Sequence, residues 1–201
     1  MNIARGLNTL LTRGALASAR LKNPWYRLIF KQFGKRSVLR KPLLISHPEY
    51  ISVGNSVLIR DHARLEVVLD GSGRIPVMSF GDGTSIEQNC HIVTHCRLQI
   101  GRNVTIAPNV AIVDTTHPYE GLKDGLSACT QLDTTESFIE IGEGAFLGAG
   151  CVVLPNVRIG RNAVIGANSV VRSSVPDYCV AVGCPARVVK SHAPAATSQC
   201  D

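Results

Sequence analysis

The residues best suited to chemistry lie in one stretch of the chain. Asp114–Ser137 carries Pro118, Gly121, Gly125 and several Thr and Ser, and it opens Asp114-Thr115-Thr116-His117-Pro118-Tyr119. An imidazole has an ordinary pKa near 6.5, so His117 can take up and return a proton at neutral pH. Loops carried on rigid scaffolds are where such groups collect. The cysteines point elsewhere. Cys90, Cys96, Cys129, Cys151, Cys179, Cys184 and Cys200 show no C-x-x-C spacing, and seven is an odd number. That pattern argues against a disulfide framework and for a reducing cytosol. Cys90, Cys151 and Cys179 read as small apolar fillers.

What must position His117 is legible from a period of six. Apolar residues recur at Ile141, Leu147, Val153, Ile159, Ile165 and Val171, and Gly142, Gly148, Gly160 and Gly166 directly follow four of them. The same frame runs through Ile100, Ile106 and Ile112, through Phe80, Ile86 and Ile92, and through Val53, Ile59 and Leu65. A helix would repeat near 3.6 and a lone strand at 2. Six is a multiple of 2, so short strands joined by regular corners satisfy it. Each rung points one aliphatic residue inward, while glycine supplies positive φ or lets adjacent coils approach. Three rungs make a turn of eighteen, the separation of Ile141 and Ile159. The composition agrees: 45% of the 201 residues are hydrophobic but only 5% are aromatic, which suits an interior tiled by Val, Ile, Leu, Ala and Gly. Two segments break the frame, Val67–Ser79 and the longer Asp114–Ser137.

Charge divides the chain. Before Glu49 there are ten basic residues and no acidic one, whereas the remainder holds 11 basic and 15 acidic residues, for a net +6. Residues 1–48 are expected to form a basic amphipathic helical arm. Within Pro24–Gly34, Trp25, Leu28, Ile29 and Phe33 would share one face and Arg27, Lys31 and Lys35 the other. That arm can cap the solenoid, meet an anionic membrane surface, or do both. Residues 49–190 are expected to be the solenoid, with loop 114–137, and 191–201 a disordered tail. No apolar run approaches the roughly 18 residues of a membrane span. The N-terminus also lacks the apolar block and cleavage site of a secretory signal.

The run Ile141-Gly142-Glu143-Gly144-Ala145-Phe146-Leu147-Gly148-Ala149-Gly150, continued by Val153–Gly160 and Val164–Val171, resembles the hexapeptide-repeat acyltransferases. With Val182-Gly183-Cys184-Pro185-Ala186-Arg187-Val188-Val189-Lys190, it is similar to the galactoside and maltose O-acetyltransferases and to the bacterial capsule, exopolysaccharide and O-antigen acetyltransferases. The resemblance covers Ile51–Lys190. It implies an all-β left-handed parallel β-helix, a homotrimer with sites between subunits, and acetyl-CoA as co-substrate without a metal. It also implies that His117 is the general base that takes the proton of an acceptor hydroxyl, with an oxyanion donor near Ala149. Cofactor contacts are implied at Phe146, Gly148, Ala149, Ala167, Arg172, Ser173, Arg187 and Lys190. Here Phe146 stands where galactoside-type relatives carry Trp, and Arg172-Ser173 where they carry Thr-Lys. Acceptor contacts are expected from Glu87, Asn89, His91 and Tyr119. Glu87 replaces the relatives' asparagine, so the acceptor is expected to differ from theirs.

The expected function is therefore transfer of an acetyl group to a sugar hydroxyl, on a polysaccharide or lipid-linked precursor, at the cytoplasmic side of the membrane. Acetylation of an antibiotic or of an amino-sugar amine is the alternative. A zinc enzyme like the γ-class carbonic anhydrases would need three protein ligands. His91, His95 and His117 are available, but Leu122 stands where the paired histidine would be. Nucleic-acid binding is not expected, because aromatic and basic residues of the arm are segregated rather than interleaved.

Overall fold

A computed structural model describes residues 21–117, 125, 127 and 131–192. Within them the period of six becomes a three-sided parallel β-helix. The first face stacks Gln32–Phe33, Ile51–Val53, Val77–Phe80, Arg97–Ile100, Phe138–Ile141 and Val157–Ile159. The second stacks Val38–Leu39, Leu58–Ile59, Ser85–Ile86, Thr105–Ile106, Phe146–Leu147, Val164–Ile165, Cys179–Gly183 and Ala186–Ser191. The third stacks Leu44–Ser46, Arg64–Val67, His91–Thr94, Ala111–Val113, Val152–Val153 and Val170–Val171.

Register makes the core. On the second face Leu39, Ile59, Ile86, Ile106, Leu147 and Ile165 sit directly above one another, all at most 1% exposed. Leu65, Ile92, Ile112, Val153 and Val171 form the matching column on the third face. Ile141 pairs with Ile159, eighteen residues on, as expected. Phe80 instead pairs with Ile100, twenty on, because Thr94–Cys96 lengthens the corner between the third and first faces.

The glycines that follow the inward residues serve close approach. A Cβ at Gly142 would lie 2.5 Å from the backbone N of Arg161 and 2.7 Å from the carbonyl carbon of Gly160. Positive φ is supplied elsewhere, by other glycines and, among the remaining residues, most often by asparagine. Asn89, Asn103, Asn109, Asn156, Asn162 and Asn168 occupy corners with φ between 51° and 61°, a conformation asparagine tolerates better than most residues. Cys90, Cys151 and Cys179 are buried core residues. Burial pushes the thiols of Cys90 and Cys151 up, to about 11 and about 12.

The N-terminal expectation needs correction. Helix α1 (Asn23–Ile29) is followed at once by extended backbone at Phe30, and Gln32–Phe33 already pairs with Ser52–Val53. The solenoid thus begins at residue 32, not 49. Phe33-Gly34 is the same apolar–glycine signature as Phe80-Gly81, and Phe33, Leu39 and Ile45 are spaced by six. The buried face also differs: Trp25 and Leu28 are 61% and 80% exposed, while Tyr26, Phe30 and Phe33 are buried. Their rings cluster at centroid distances of 5.4–5.7 Å and join the core at its open end. Buried Asn23 donates to the Ser37 carbonyl at 2.9 Å, tying the helix to the first coil. At the other end Ala186–Ser191 folds back antiparallel on Cys179–Gly183 and covers that edge of the second face. Ser191 belongs to this strand. The first twenty residues of the arm and residues 193–201 lie outside the described residues.

Replacing Gly142 with Ala should force two coils apart and lower stability by about 1–3 kcal/mol, the usual cost of overpacking. Chemical denaturation checks this. An unchanged midpoint would mean that the coils have slack there.

Candidate active site

Both breaks in the period emerge at the corner between the third and first faces, two coils apart, with the short Thr94–Cys96 corner between them. A buried carboxylate organises this edge. Asp114 accepts the backbone N–H groups of His95, Cys96 and Arg97 at 2.8, 3.3 and 3.2 Å, and the Thr94 hydroxyl as well. The first residue of the loop is therefore a structural pin for the corner beneath it.

Three residues later, the exposed ring of His117 has its Nδ1 2.7 Å from the carbonyl oxygen of Gln131. A carbonyl only accepts, so Nδ1 carries the proton and Nε2 keeps its lone pair. The returning limb of the loop is pinned nearby, with the Asp133 N–H donating to the Thr116 carbonyl at 3.0 Å. His117 faces a cleft of about 750 Å³, whose walls include Arg64, Glu66, Asp70, His91, Val93, Thr115, Leu132 and Thr134. Arg64 and Glu66 form an ion pair across its floor, with Nε to Oε2 at 2.7 Å. Burial, assisted by the charge of Arg64, lowers the His91 pKa against the opposing effect of Glu66 and favours the neutral ring. Its Nε2 is buried with no hydrogen-bond partner among the described residues. The cleft thus offers one free base and one polar atom waiting for a partner.

Of the expected acceptor residues, His91 shares the cleft with His117. Glu87 does not line it and pairs with Arg60, 2.9 Å away. Asn89 is a corner residue, hydrogen-bonded to Asn109 at 3.2 Å. Tyr119 lies outside the described residues. Arg64, Glu66 and Asp70 were not expected here. The first two flank the inward Leu65 and so must point outward, a signal that the period of six does carry. Asp70 carries no such signal, since it lies in the Val67–Ser79 break. The buried His95 lies behind Asp70 and does not line the cleft, and among the described residues His91, His95 and His117 form no group that could hold a metal ion.

The expected cofactor residues occupy other edges. Gly148 and Ala149 turn the corner from the second face to the third, and Ala167 lies on the next coil, where the Asn168 N–H donates to the Ala149 carbonyl at 2.8 Å. A Cβ at Gly148 would sit 2.5 Å from the Ala167 N, so that corner is narrow by necessity. Phe146, Val164, Val180 and Lys190 share one register row on the second face, ending at an exposed cation. At the 4.8 Å strand spacing the row is roughly 14 Å long. Arg187 stands on the same terminal strand, and Arg172 and Ser173 are exposed beyond Val171. None of these residues lines the His117 cleft of the same chain.

Comparison with known proteins gives a consistent picture. A family model described as bacterial transferase hexapeptide (six repeats) matches residues 138–173. The chain is 33% identical over 172 residues to a putative lipopolysaccharide biosynthesis O-acetyltransferase of Escherichia coli (strain K12), covering 83% of this chain and 87% of that protein. It is 39% identical over 109 residues to a galactoside O-acetyltransferase of Lactococcus lactis subsp. lactis (strain IL1403), spanning 54% of this chain and half of that relative's length. Among solved structures, AntD, an N-acyltransferase from Bacillus cereus in complex with dTDP and 3-hydroxybutyryl-CoA, shares the fold. Its TM-score is 0.70 at 20% identity, over 85% of this chain and 88% of that one.

The cleft wall also has an acid-sensitive element. The Ser72 hydroxyl and N–H, helped by His95 and Arg74, push the Asp70 pKa down to about 2 from an ordinary 3.8. A lowered carboxylate pKa stabilises the fold above the unfolded value, and that stabilisation is lost as pH falls through the folded value. Asp70→Asn should therefore be less stable than wild type at neutral pH, with the gap closing between pH 3.8 and about 2. Thermal melts across that range measure it, and a gap independent of pH would refute the assignment.

Proposed function

The chain belongs to the hexapeptide-repeat acyltransferases, left-handed β-helical enzymes that draw an acetyl group from acetyl-CoA, and on that premise we propose that it acetylates a sugar hydroxyl with His117 as general base. One observation carries the choice of base: the Nδ1–H of His117 is committed to the Gln131 carbonyl, leaving Nε2 free on the cleft.

In the proposed reaction Nε2 of His117 takes the acceptor's hydroxyl proton as that oxygen attacks the thioester carbonyl. A backbone N–H near Ala149 meets the developing oxyanion. As the C–S bond breaks, the proton held on His117 passes to the departing sulfur, so the base is restored and one thiol is released. His91 is proposed to hold the acceptor through its unpartnered Nε2. Phe146, Gly148, Ala149 and Ala167 are proposed to line the path of the CoA arm, while Arg172, Ser173, Arg187 and Lys190 reach its phosphates. These residues lie on a different edge of the prism from His117. That separation supports a homotrimer in which a neighbouring subunit supplies the second wall of each site.

The proposed acceptor is a polysaccharide or lipid-linked precursor handled at the cytoplasmic face of the membrane, and α1 supports this reading. Trp25 and Leu28 are exposed one turn apart on α1, and Leu21 and Lys22 in the preceding turn and Arg27 on the helix are exposed as well. Such a surface suits an anionic bilayer. Among the described residues no helix is long and apolar enough to cross a membrane. An amine acceptor is the second reading, favoured by the carboxylates Glu66 and Asp70 on the cleft wall, although each is paired with an arginine.

Two expected outcomes follow. His117→Ala should lower turnover by about 10²–10⁴-fold, with acetyl-CoA binding and trimer sedimentation unchanged. Thiol release from acetyl-CoA over a panel of hydroxyl and amino sugars tests this, and wild-type turnover in the variant would remove the catalytic assignment. Trp25→Ala and Leu28→Ala should each weaken pelleting with phosphatidylglycerol vesicles by about tenfold or more, since burying such a side chain is worth roughly 1.5–3 kcal/mol. Added salt should also reduce the binding. Failure of the intact protein to bind vesicles would leave α1 as a cap alone.

A further inference from the structure

His95 is buried in the middle of the edge that carries the cleft, yet the proposed mechanism gives it no task. Its ring is 1% exposed and lies between the two breaks in the repeat. Nδ1 is 3.3 Å from Oδ2 of Asp70 in the first break, and Nε2 is 2.9 Å from Oγ of Ser137 at the end of the second. Asp70 has a side chain only 3% exposed and also receives Nη1 of Arg74 at 3.0 Å, while Nη2 of Arg74 reaches the Thr134 carbonyl at 3.2 Å.

Hydrogen-bond accounting points to one arrangement of the protons. Ser137 has a single proton, which we assign to the backbone carbonyl of Asp114, 3.0 Å away, because that oxygen can only accept. Ser137 therefore accepts from His95, and Nε2 must carry a proton. An ionised Asp70 also only accepts, so Nδ1 must carry one too. Both ring nitrogens are donors, which makes His95 an imidazolium. The local charges are compatible with this. The carboxylates of Asp70 and Asp114 are both withdrawn from water; Arg74 pairs with Asp70, Asp114 is held by the Thr94 hydroxyl and three backbone N–H groups, and an imidazolium at His95 would offset the second negative charge. An unpaired charge in such a place would be strongly unfavourable.

We propose that His95 is a positioning residue for His117: a doubly protonated ring that clamps Ser137 to Asp70 and so holds the returning limb that presents the Gln131 carbonyl. The limb from Gln131 to Ser137 is then tied at three points, to Thr116 by Asp133, to Arg74 by Thr134, and to His95 by Ser137. The first break, Val67–Ser79, acts as a buttress for the loop that carries the base. If the limb slips, the Gln131 carbonyl leaves Nδ1, and His117 is free to move its proton to Nε2, where it cannot act as a base.

This inference rests on the reading of His117 as base, so its test reads the ring protons directly and not turnover. Full-length protein labelled with ¹⁵N-histidine is examined by long-range ¹H–¹⁵N correlation at neutral pH, with folding checked by circular dichroism. In the wild type, His95 should show two protonated nitrogens and His117 a single Nδ1–H tautomer. Ser137→Ala removes only one oxygen from the clamp. It should replace the fixed His117 tautomer by an average of both, and Ser137→Thr, which keeps the hydroxyl, should restore it. A single protonated nitrogen on His95, or a His117 signature unchanged in folded Ser137→Ala and His95→Gln, overturns the proposal. A failure of the acyltransferase reading would instead appear as absent thiol release with these ring signatures intact.

Discussion

The structure depends on one requirement: each coil must lay its inward side chain on the one below while its backbone bonds to that neighbour. The column Leu39, Ile59, Ile86, Ile106, Leu147 and Ile165 satisfies it without a break. Faces cannot absorb an extra residue, because a slip of one would turn every side chain over. Only corners can. The lengthened corners, His47–Tyr50, Val68–Pro76, Thr94–Cys96 and the loop after Val113, all fall on the same edge. A fold that forbids variation on its faces thereby gathers its irregular segments into one place, and the cleft is what they enclose.

That cleft mixes polar and aliphatic side chains, and its charges are largely neutralised in pairs. Arg64 faces Glu66, and Arg74 faces Asp70. An uncharged, hydroxyl-bearing ligand would meet few uncompensated charges there. Against that background the two histidines have distinct characters: burial shifts His91 toward its neutral form, and a backbone carbonyl favours one tautomer of His117. Each is set by geometry that neither ring controls on its own.

How far the sequence reveals this follows from what repeats and what does not. The period of six fixes the faces, the inward columns and the location of both breaks, since each position is tested again every turn. It does not announce where the repeat starts. At Phe33 the spacing from Trp25 and Ile29 also fits a helix, and only the following Gly34 and the later Leu39 and Ile45 decide for a strand. The aromatic cap of Tyr26, Phe30 and Phe33 is used once, so no pattern marks it. Among the site residues, His117 is legible from its loop and its family motif. Asn89 reads as a polar candidate but is one of six asparagines at equivalent corners, a role visible only from φ. Asp70 carries no signal and His95 reads only as a metal-ligand candidate, because the contacts that join His95 to Asp70 and to Ser137 span 25 residues or more and belong to different coils.

The cysteines bear on the enzyme's own by-product. Each acetyl transfer liberates a free thiol beside the protein, and oxidised forms of such thiols exchange with protein thiolates. Cys90 and Cys151 are packed in the aliphatic interior with pKa values of about 11 and about 12, so almost none of either is ionised in neutral solution. The core can therefore use sulfur to fill space without entering that exchange. Burial is the main cause of the raised pKa values, with a smaller contribution from neighbouring groups.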